Sequence, residues 1–243
     1  FLRDRGVLER IVKWIAPEAG ALFLDIGAGD GALSRGLAPM ASRLISIELD
    51  DDCIPRLETA LSGFPNAAVV QGDILRLDLA ALVSPHLLPG TRLRIAGNLP
   101  YNIATVIIER LLSLRLPIAD MAFMVQLEVA RRITAVPATR EYGYFSVLCQ
   151  HRADVRFGFK VSPACFVPRP KVGSAMVAFR LKPQTRDPAL ESDFESLAKA
   201  AFAYRRKTLE NALSRNAEWG ALCAAMLGRT GIRGTRRAEE LSV

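Results

Sequence analysis

The first clear periodicity lies in residues 5–16, where Val7, Leu8, Ile11, Val12 and Ile15 recur at the i, i+3, i+4 spacing of an amphipathic helix. Pro17 cannot continue such a helix and predicts its end nearby. Beyond it the pattern shortens to apolar runs that end in polar residues or glycine, at residues 21–26, 43–47, 67–71, 93–96 and 121–126. Each reads as a strand buried on both faces, and the stretches between them suit helices. Alternating strand and helix predicts an α/β fold, a parallel sheet with helices on both faces. Residues 147–157 and 175–181 alternate, contain few glycines, and predict antiparallel strands at the far edge of the sheet.

After Leu181 the prolines at 183 and 188 interrupt regular structure, and helical spacing returns at Phe194, Leu197, Ala198, Ala201 and Phe202. Residues 1–183 are therefore expected to form the sheet domain and 184–243 a small helical domain. No internal repeat or low-complexity tract is visible. The longest apolar runs, such as residues 121–127, fall well short of the roughly 20 residues of a membrane helix. No charged-then-apolar leader opens the chain, which predicts a soluble protein; opening on Phe1 rather than Met, the chain is expected to be trimmed.

Charge changes the picture through its location. The net charge is +7, yet residues 1–150 carry 15 Lys and Arg against 16 Asp and Glu, while residues 151–243 carry 17 against 9. The basic excess interleaves with aromatics at Phe202, Tyr204, Arg205, Arg206 and Lys207, a pattern suited to a polyanion. The four cysteines (Cys53, Cys149, Cys165, Cys223) lie far apart without a C-x-x-C pair, and neither His86 nor His151 neighbours one. No metal site is expected, and a reducing compartment is.

Candidate chemistry begins where the first strand runs into Gly27, Gly29 and Gly31 and then a helix. Such a turn lets a ligand lie against bare backbone at a helix N-terminus, and by itself it equally matches a dinucleotide fingerprint. Glu48 ends the second strand, where its carboxylate can accept from both ribose hydroxyls; Asp73 follows the third, placed for an exocyclic adenine amine. The glycine turn with Glu48 and Asp73 suits S-adenosylmethionine better than a dinucleotide. The carboxylates at 30, 50, 51 and 52 read as helix caps and surface charge. After the fourth strand comes Asn98-Leu99-Pro100-Tyr101, at the carboxyl end where open α/β sheets hold ligands. The amide oxygen of Asn98 and the carbonyl of Leu99 can accept the two N–H bonds of an adenine amine, localising a lone pair otherwise delocalised into the ring. Pro100 stiffens the turn, and Tyr101 can stack on the base or face a sulfonium.

Together these features resemble the ribosomal RNA adenine-N6 dimethyltransferase family. The resemblance rests on residues 27–31, Glu48, Asp73, the Asn98 tetrapeptide, Tyr142-Gly143 before an expected strand, the run Val-Ser-Pro-Ala-Cys-Phe-Val-Pro-Arg-Pro-Lys-Val-Gly-Ser-Ala at 161–175, and Arg205-Arg206-Lys207-Thr208-Leu209. It covers nearly the whole chain, to residues 239–243. The resemblance implies a Rossmann-like class I methyltransferase sheet with a small C-terminal helical domain, S-adenosylmethionine as donor, and a monomer in the cytoplasm. The implied substrate is two adjacent adenines in the 3′-terminal hairpin loop of small-subunit (16S) rRNA, within a pre-ribosomal 30S particle, dimethylated during ribosome biogenesis. By the same likeness Phe166 stacks on the flipped adenine opposite Tyr101, Leu2 touches the cofactor, and Arg169, Lys171, Arg205, Arg206 and Lys207 contact RNA.

The chain departs from the family pattern at Asp25 (usually Glu), Ala28 (often Pro), Tyr144 (Arg) and Leu127 (Lys). The last two remove cations that would meet phosphates. Two rival readings are a large-subunit rRNA adenine methyltransferase of the resistance type and a non-catalytic RNA-binding or transcription factor on the same scaffold. Intact Gly27, Glu48, Asp73 and Asn98 argue against the second.

Overall fold

The computed structural model describes residues 1–183, 187–204 and 206–242. The strands are β1 (Leu22–Ile26), β2 (Arg43–Glu48), β3 (Ala67–Gln71), β4 (Leu93–Asn98), β5 (Ile118–Gln126), β6 (Ala153–Val161) and β7 (Ser174–Leu181). The helices are α1 (Arg5–Ile15), α2 (Ala32–Leu37), α3 (Ile54–Leu61), α4 (Leu79–Val83), α5 (Ala104–Ser113), α6 (Leu127–Ile133), α7 (Tyr144–Arg152), α8 (Pro188–Phe202), α9 (Leu209–Leu213) and α10 (Cys223–Thr230). One seven-stranded sheet has the order β3-β2-β1-β4-β5-β7-β6. Strands β1 to β5 pair in parallel, and β7 runs antiparallel to β5. No helix among the described residues is long and apolar enough to cross a membrane.

The expected α/β architecture follows from burial on two faces. All five residues of β1 are buried, so the strand has no solvent-facing side and appears in sequence as an apolar run interrupted only by Asp25. Helix α1 lays Ile11 and Ile15 on the core that holds Phe23, Leu44 and Ala96, with Val7 and Leu8 partly covered beside them. Its end is fixed by more than Pro17. Ala16 adopts a left-handed conformation (φ 48°), and the buried guanidinium of Arg94 donates to the carbonyls of Ile15 and Ala16 at 2.7 and 2.8 Å. A cation among the last carbonyls of a helix satisfies acceptors that have no partner within it. Asp120 on β5 balances that charge at 2.9 Å.

The chain divides into two compact units, residues 1–130 with 155–181, and residues 131–154 with 182–243. The division differs from the expected boundary at 183, because residues 131–154 cluster with the C-terminal segment. Tyr142, Val147 and Ala135 pack with Ala198, Phe194 and Phe202. A second cluster in this unit gathers Leu209, Leu213, Trp219 and Cys223.

One expected strand is corrected. Residues 147–152 belong to α7, and β6 starts at Ala153. Gly143 therefore precedes a helix, with the Ser146 hydroxyl accepting from its N–H at 3.1 Å and donating to the Arg132 carbonyl at 2.5 Å. Val147, Leu148 and Cys149 are all buried, so α7 lacks the polar face that marks a helix in sequence.

Candidate active site

In the first unit the carboxyl ends of the parallel strands meet along one edge. Ile26 at the end of β1 sits between Ile47 of β2 and Gly97 of β4, which places the glycine turn beside Glu48 and Asn98. The turn is pinned to β2, since the N–H groups of Gly27 and Ala28 both donate to the Ile47 carbonyl, at 2.9 and 3.1 Å. Gly27, Gly29 and Gly31 have φ values of 68°, 58° and 82°, a region that disfavours any side chain. Gly97 has a different role: a Cβ there would collide with the Ile26 carbonyl, so only glycine lets β4 lie this close to β1.

A narrow cavity of about 50 Å³ opens at this edge, and Leu2, Asp25, Gly27, Gly29, Asp30 and Asn98 contribute to its wall. The sequence-derived Leu2, Gly27, Gly29 and Asn98 are thereby brought together. Gly31 starts α2 just behind them. Glu48 lies beside the cavity: its Oε2 accepts from the Gly29 N–H at 2.7 Å, and its Oε1 accepts from the N–H groups of Leu49 and Asp50 at 2.7 and 3.0 Å. Asp73 follows β3 one strand further out, where it accepts from the Leu75 N–H at 2.9 Å and pairs loosely with Arg76 at 3.5 Å.

The side-chain amide of Asn98 makes no hydrogen bond with the described residues, although it borders the cavity. Leu99 is buried and its N–H donates to the Met124 carbonyl of β5 at 3.1 Å, which anchors the turn that carries Tyr101. The Tyr101 phenol is half-buried and hydrogen-bonded to Ser174 Oγ at 2.5 Å. Phe166 is only 6% exposed, packed in the core with Leu2, Val161 and Met176. Its segment is strapped to the N-terminal residues: Leu2 and Phe166 form an antiparallel bridge, Arg3 N donates to Cys165 O, and Val167 N donates to Phe1 O, both at 2.8 Å.

Two acidic groups carry more than the sequence suggested. Asp25 is fully buried at the floor of the cavity; Ser34 Oγ donates to its Oδ2 at 2.5 Å, and Ser46 Oγ contacts Ser34 Oγ at 3.0 Å. Its Oδ1 has no partner among the described residues. Burial pushes this carboxyl up from 3.8 to about 7, against the pull of the Ser34 bond and with a further push from the charge of Glu48. Asp30, read from sequence as cap or surface charge, instead lines the cavity and pairs with Arg3 at 2.6 Å. Asp50 accepts from the Asp52 N–H at 3.0 Å in the turn before α3 but does not cap that helix, whose N-cap is Cys53 without a side-chain cap bond.

The expected RNA-contacting cations are exposed at Arg169 and Lys171 in the first unit and at Arg206 and Lys207 in the second. Arg205 lies outside the described residues. Arg206 and Lys207 precede α9, whose first turn is capped by Thr208 Oγ1 accepting from the Asn211 N–H at 3.4 Å.

Comparison with known proteins decides the family. The ribosomal RNA adenine dimethylase model matches residues 1–243. The chain belongs to this family. Its members are methyltransferases, and the chain is an rRNA adenine dimethyltransferase by that membership. It is 43% identical over 228 residues to a protein of Chromohalobacter salexigens named ribosomal RNA small subunit methyltransferase A, covering 91% of this chain and 80% of that one. A Geobacter sulfurreducens protein of the same name is 41% identical over 250 residues, covering 100% and 88%. Among solved structures, a dimethyladenosine transferase from Plasmodium falciparum superposes with a TM-score of 0.82 at 23% identity, covering 100% of this chain and 93% of that one. The 23S rRNA methyltransferase ErmE gives 0.73 at 27% identity, covering 100% and 94%. The mixed seven-stranded sheet is the class I methyltransferase sheet that the resemblance implied, and the alternating strands and helices are the α/β pattern read from the sequence.

Proposed function

We propose that the protein transfers methyl groups from S-adenosylmethionine to N6 of two adjacent adenines in the 3′-terminal hairpin loop of small-subunit rRNA, giving N6,N6-dimethyladenosine on a pre-ribosomal 30S particle. The observation that carries this reading is the Asn98 amide at the carboxyl end of β4, unpaired among the described residues and bordering the same cavity as Gly27 and Gly29. Identity of 41–43% to proteins named for the small subunit favours that substrate over the large-subunit RNA in the name of ErmE, at 27%.

The residues present fit the cofactor. Gly27 and Gly29 present bare backbone to the cavity, where a Cβ would meet Asn98 and Pro100 or crowd the Phe1 ring, and Asp25 Oδ1, without a partner among the described residues, offers a buried acceptor to a cationic group. Glu48 would hold the ribose hydroxyls, Asp73 the adenine amine, and Leu2 the methionine end. When bound, S-adenosylmethionine supplies a methyl group activated on a sulfonium.

Everything else is positioning. The Asn98 amide oxygen and Leu99 carbonyl accept the N–H bonds of the substrate amine, turning its lone pair toward the methyl carbon. The extruded base lies between Tyr101 and Phe166, and pairing energy lost on extrusion is offset by stacking. The amine sheds its proton after transfer, so no strong base is needed at the site. Arg169, Lys171 and the basic segment 205–207 hold RNA phosphates, with the sheet unit supplying the cofactor site.

The test is incubation with methyl-labelled S-adenosylmethionine and unmethylated small subunits, followed by mapping of the labelled nucleotides. Two adjacent dimethylated adenines are expected. Label in large-subunit RNA alone, or in neither, would overturn the assignment.

A further inference from the structure

Ser174 stands at the first position of β7, fully buried, and among the described residues its hydroxyl has a single side-chain partner, the Tyr101 phenol at 2.5 Å. Two features hold Ser174 still. It pairs with Gln126 at the end of β5, and the preceding residue, Gly173, accepts from the Leu127 N–H at 2.9 Å. Tyr101 by contrast sits in a turn with no regular pairing of its own, anchored at Leu99. A phenol ring in such a turn is free to swing about two side-chain torsions unless its far end is fixed. The buried hydroxyl supplies that fixed point.

We propose that Ser174 is a positioning residue for methyl transfer: its hydroxyl sets the plane of the Tyr101 ring against which the target base stacks. This rests on the proposed function and adds to it a residue that touches neither base nor cofactor. A tilt of the ring displaces the base, and displacement of a reacting atom by about 1 Å costs on the order of 100-fold in rate.

Positioning and simple structural support leave different signatures, because the two ends of the hydrogen bond differ in burial. Removing the buried partner's mate strands a polar group, whereas removing the buried group leaves the other end to water. Ser174→Ala removes the fully buried member of the pair and leaves the hydroxyl on the partly buried Tyr101, so it should cost less stability than Tyr101→Phe. Tyr101→Phe keeps the stacking ring but strands Ser174 Oγ, and should lower the melting temperature. The double variant should recover that loss.

The experiment measures kcat, KM for RNA, cofactor affinity and melting temperature for wild type, Ser174→Ala, Tyr101→Phe and the double variant. The expected result is a fall in kcat of roughly tenfold or more in all three, no larger in the double variant than in either single one, with cofactor affinity unchanged. Ser174→Ala should show that fall with a smaller loss of melting temperature than Tyr101→Phe. Wild-type kcat in Ser174→Ala or in Tyr101→Phe would overturn the inference, as would kcat losses that multiply in the double variant. A wild-type protein that methylates no RNA would instead overturn the proposed function.

Discussion

Asp25→Asn should raise stability at neutral pH and weaken the cofactor site. The carboxyl is fully buried, with one hydroxyl partner and one unpaired oxygen, and its pKa stands at about 7 against 3.8 when unburied. A group with a raised folded-state pKa is protonated in the folded protein while already ionised in the unfolded chain. Its contribution is therefore intact below pH 4, declines as pH climbs from 4 to 7, and stays lost above. A difference of about 3 pK units at about 1.36 kcal/mol each gives roughly 4 kcal/mol in full, of which about 2.5 kcal/mol falls between pH 5 and 8. Asn has the same shape and no titration, so this slope disappears. Equilibrium urea denaturation of both proteins at pH 5, 6, 7 and 8 reads the difference directly, and a carboxyl-carbon NMR titration reads the pKa itself. The variant's advantage should grow with pH, while its S-adenosylmethionine affinity falls because a neutral amide replaces an acceptor that can ionise beside a cation. Parallel stability curves, or a carboxyl titrating near 4, would refute the reasoning.

Glu48→Ala should weaken S-adenosylmethionine binding by roughly 1.5 to 3 kcal/mol through loss of charge-assisted bonds, and calorimetric titration showing unchanged affinity would remove the ribose role. Asn98→Ala should leave fold and cofactor affinity intact and abolish transfer; turnover at the wild-type rate excludes Asn98 from the mechanism. Phe166→Leu keeps most of the core volume, at a cost below about 1.5 kcal/mol, but loses base stacking worth roughly 1 to 3 kcal/mol. It should therefore slow methylation with little change in melting temperature, and an unchanged rate would leave Phe166 a core residue only. Replacing Arg205, Arg206 and Lys207 together should flatten the dependence of log affinity for RNA on log salt by about two to three units, with cofactor binding unmoved. Parallel salt lines would place these cations in solvent.

What sequence revealed and what it concealed divide along physical lines. The five parallel strands were legible as short apolar runs, which burial on both faces explains for β1, β2, β4 and β5, whereas the edge strand β3 is only partly buried; α7 was misread because burial around most of its surface erased the polar face. The boundary at 183 was drawn from two prolines, but the packing of Tyr142 and Val147 with Phe194 and Phe202 joins segments about 50 residues apart in sequence, and no local pattern announces it. The raised pKa of Asp25 was equally hidden, since a carboxylate within a strand looks the same whether it meets water or the Ser34 hydroxyl.

The placement of the candidate residues along one sheet edge was readable for a topological reason. Parallel strands deliver their carboxyl ends to one edge, so Gly27, Glu48, Asp73 and Asn98, each just after or at a strand end, must converge once the strands are assigned. The same rule fails for residues supplied by the antiparallel strand. β7 runs opposite to β5, so its first residue, not its last, reaches that edge: Ser174 lies opposite Gln126, 73 residues from the tyrosine it holds. Phe166 arrives by the same reversal, in the segment that leads into β7, and Leu2 meets it from the far end of the chain. Whether Tyr101 and Phe166 face one base thus depends on the orientation of a single strand pairing, which the sequence pattern does not encode by itself.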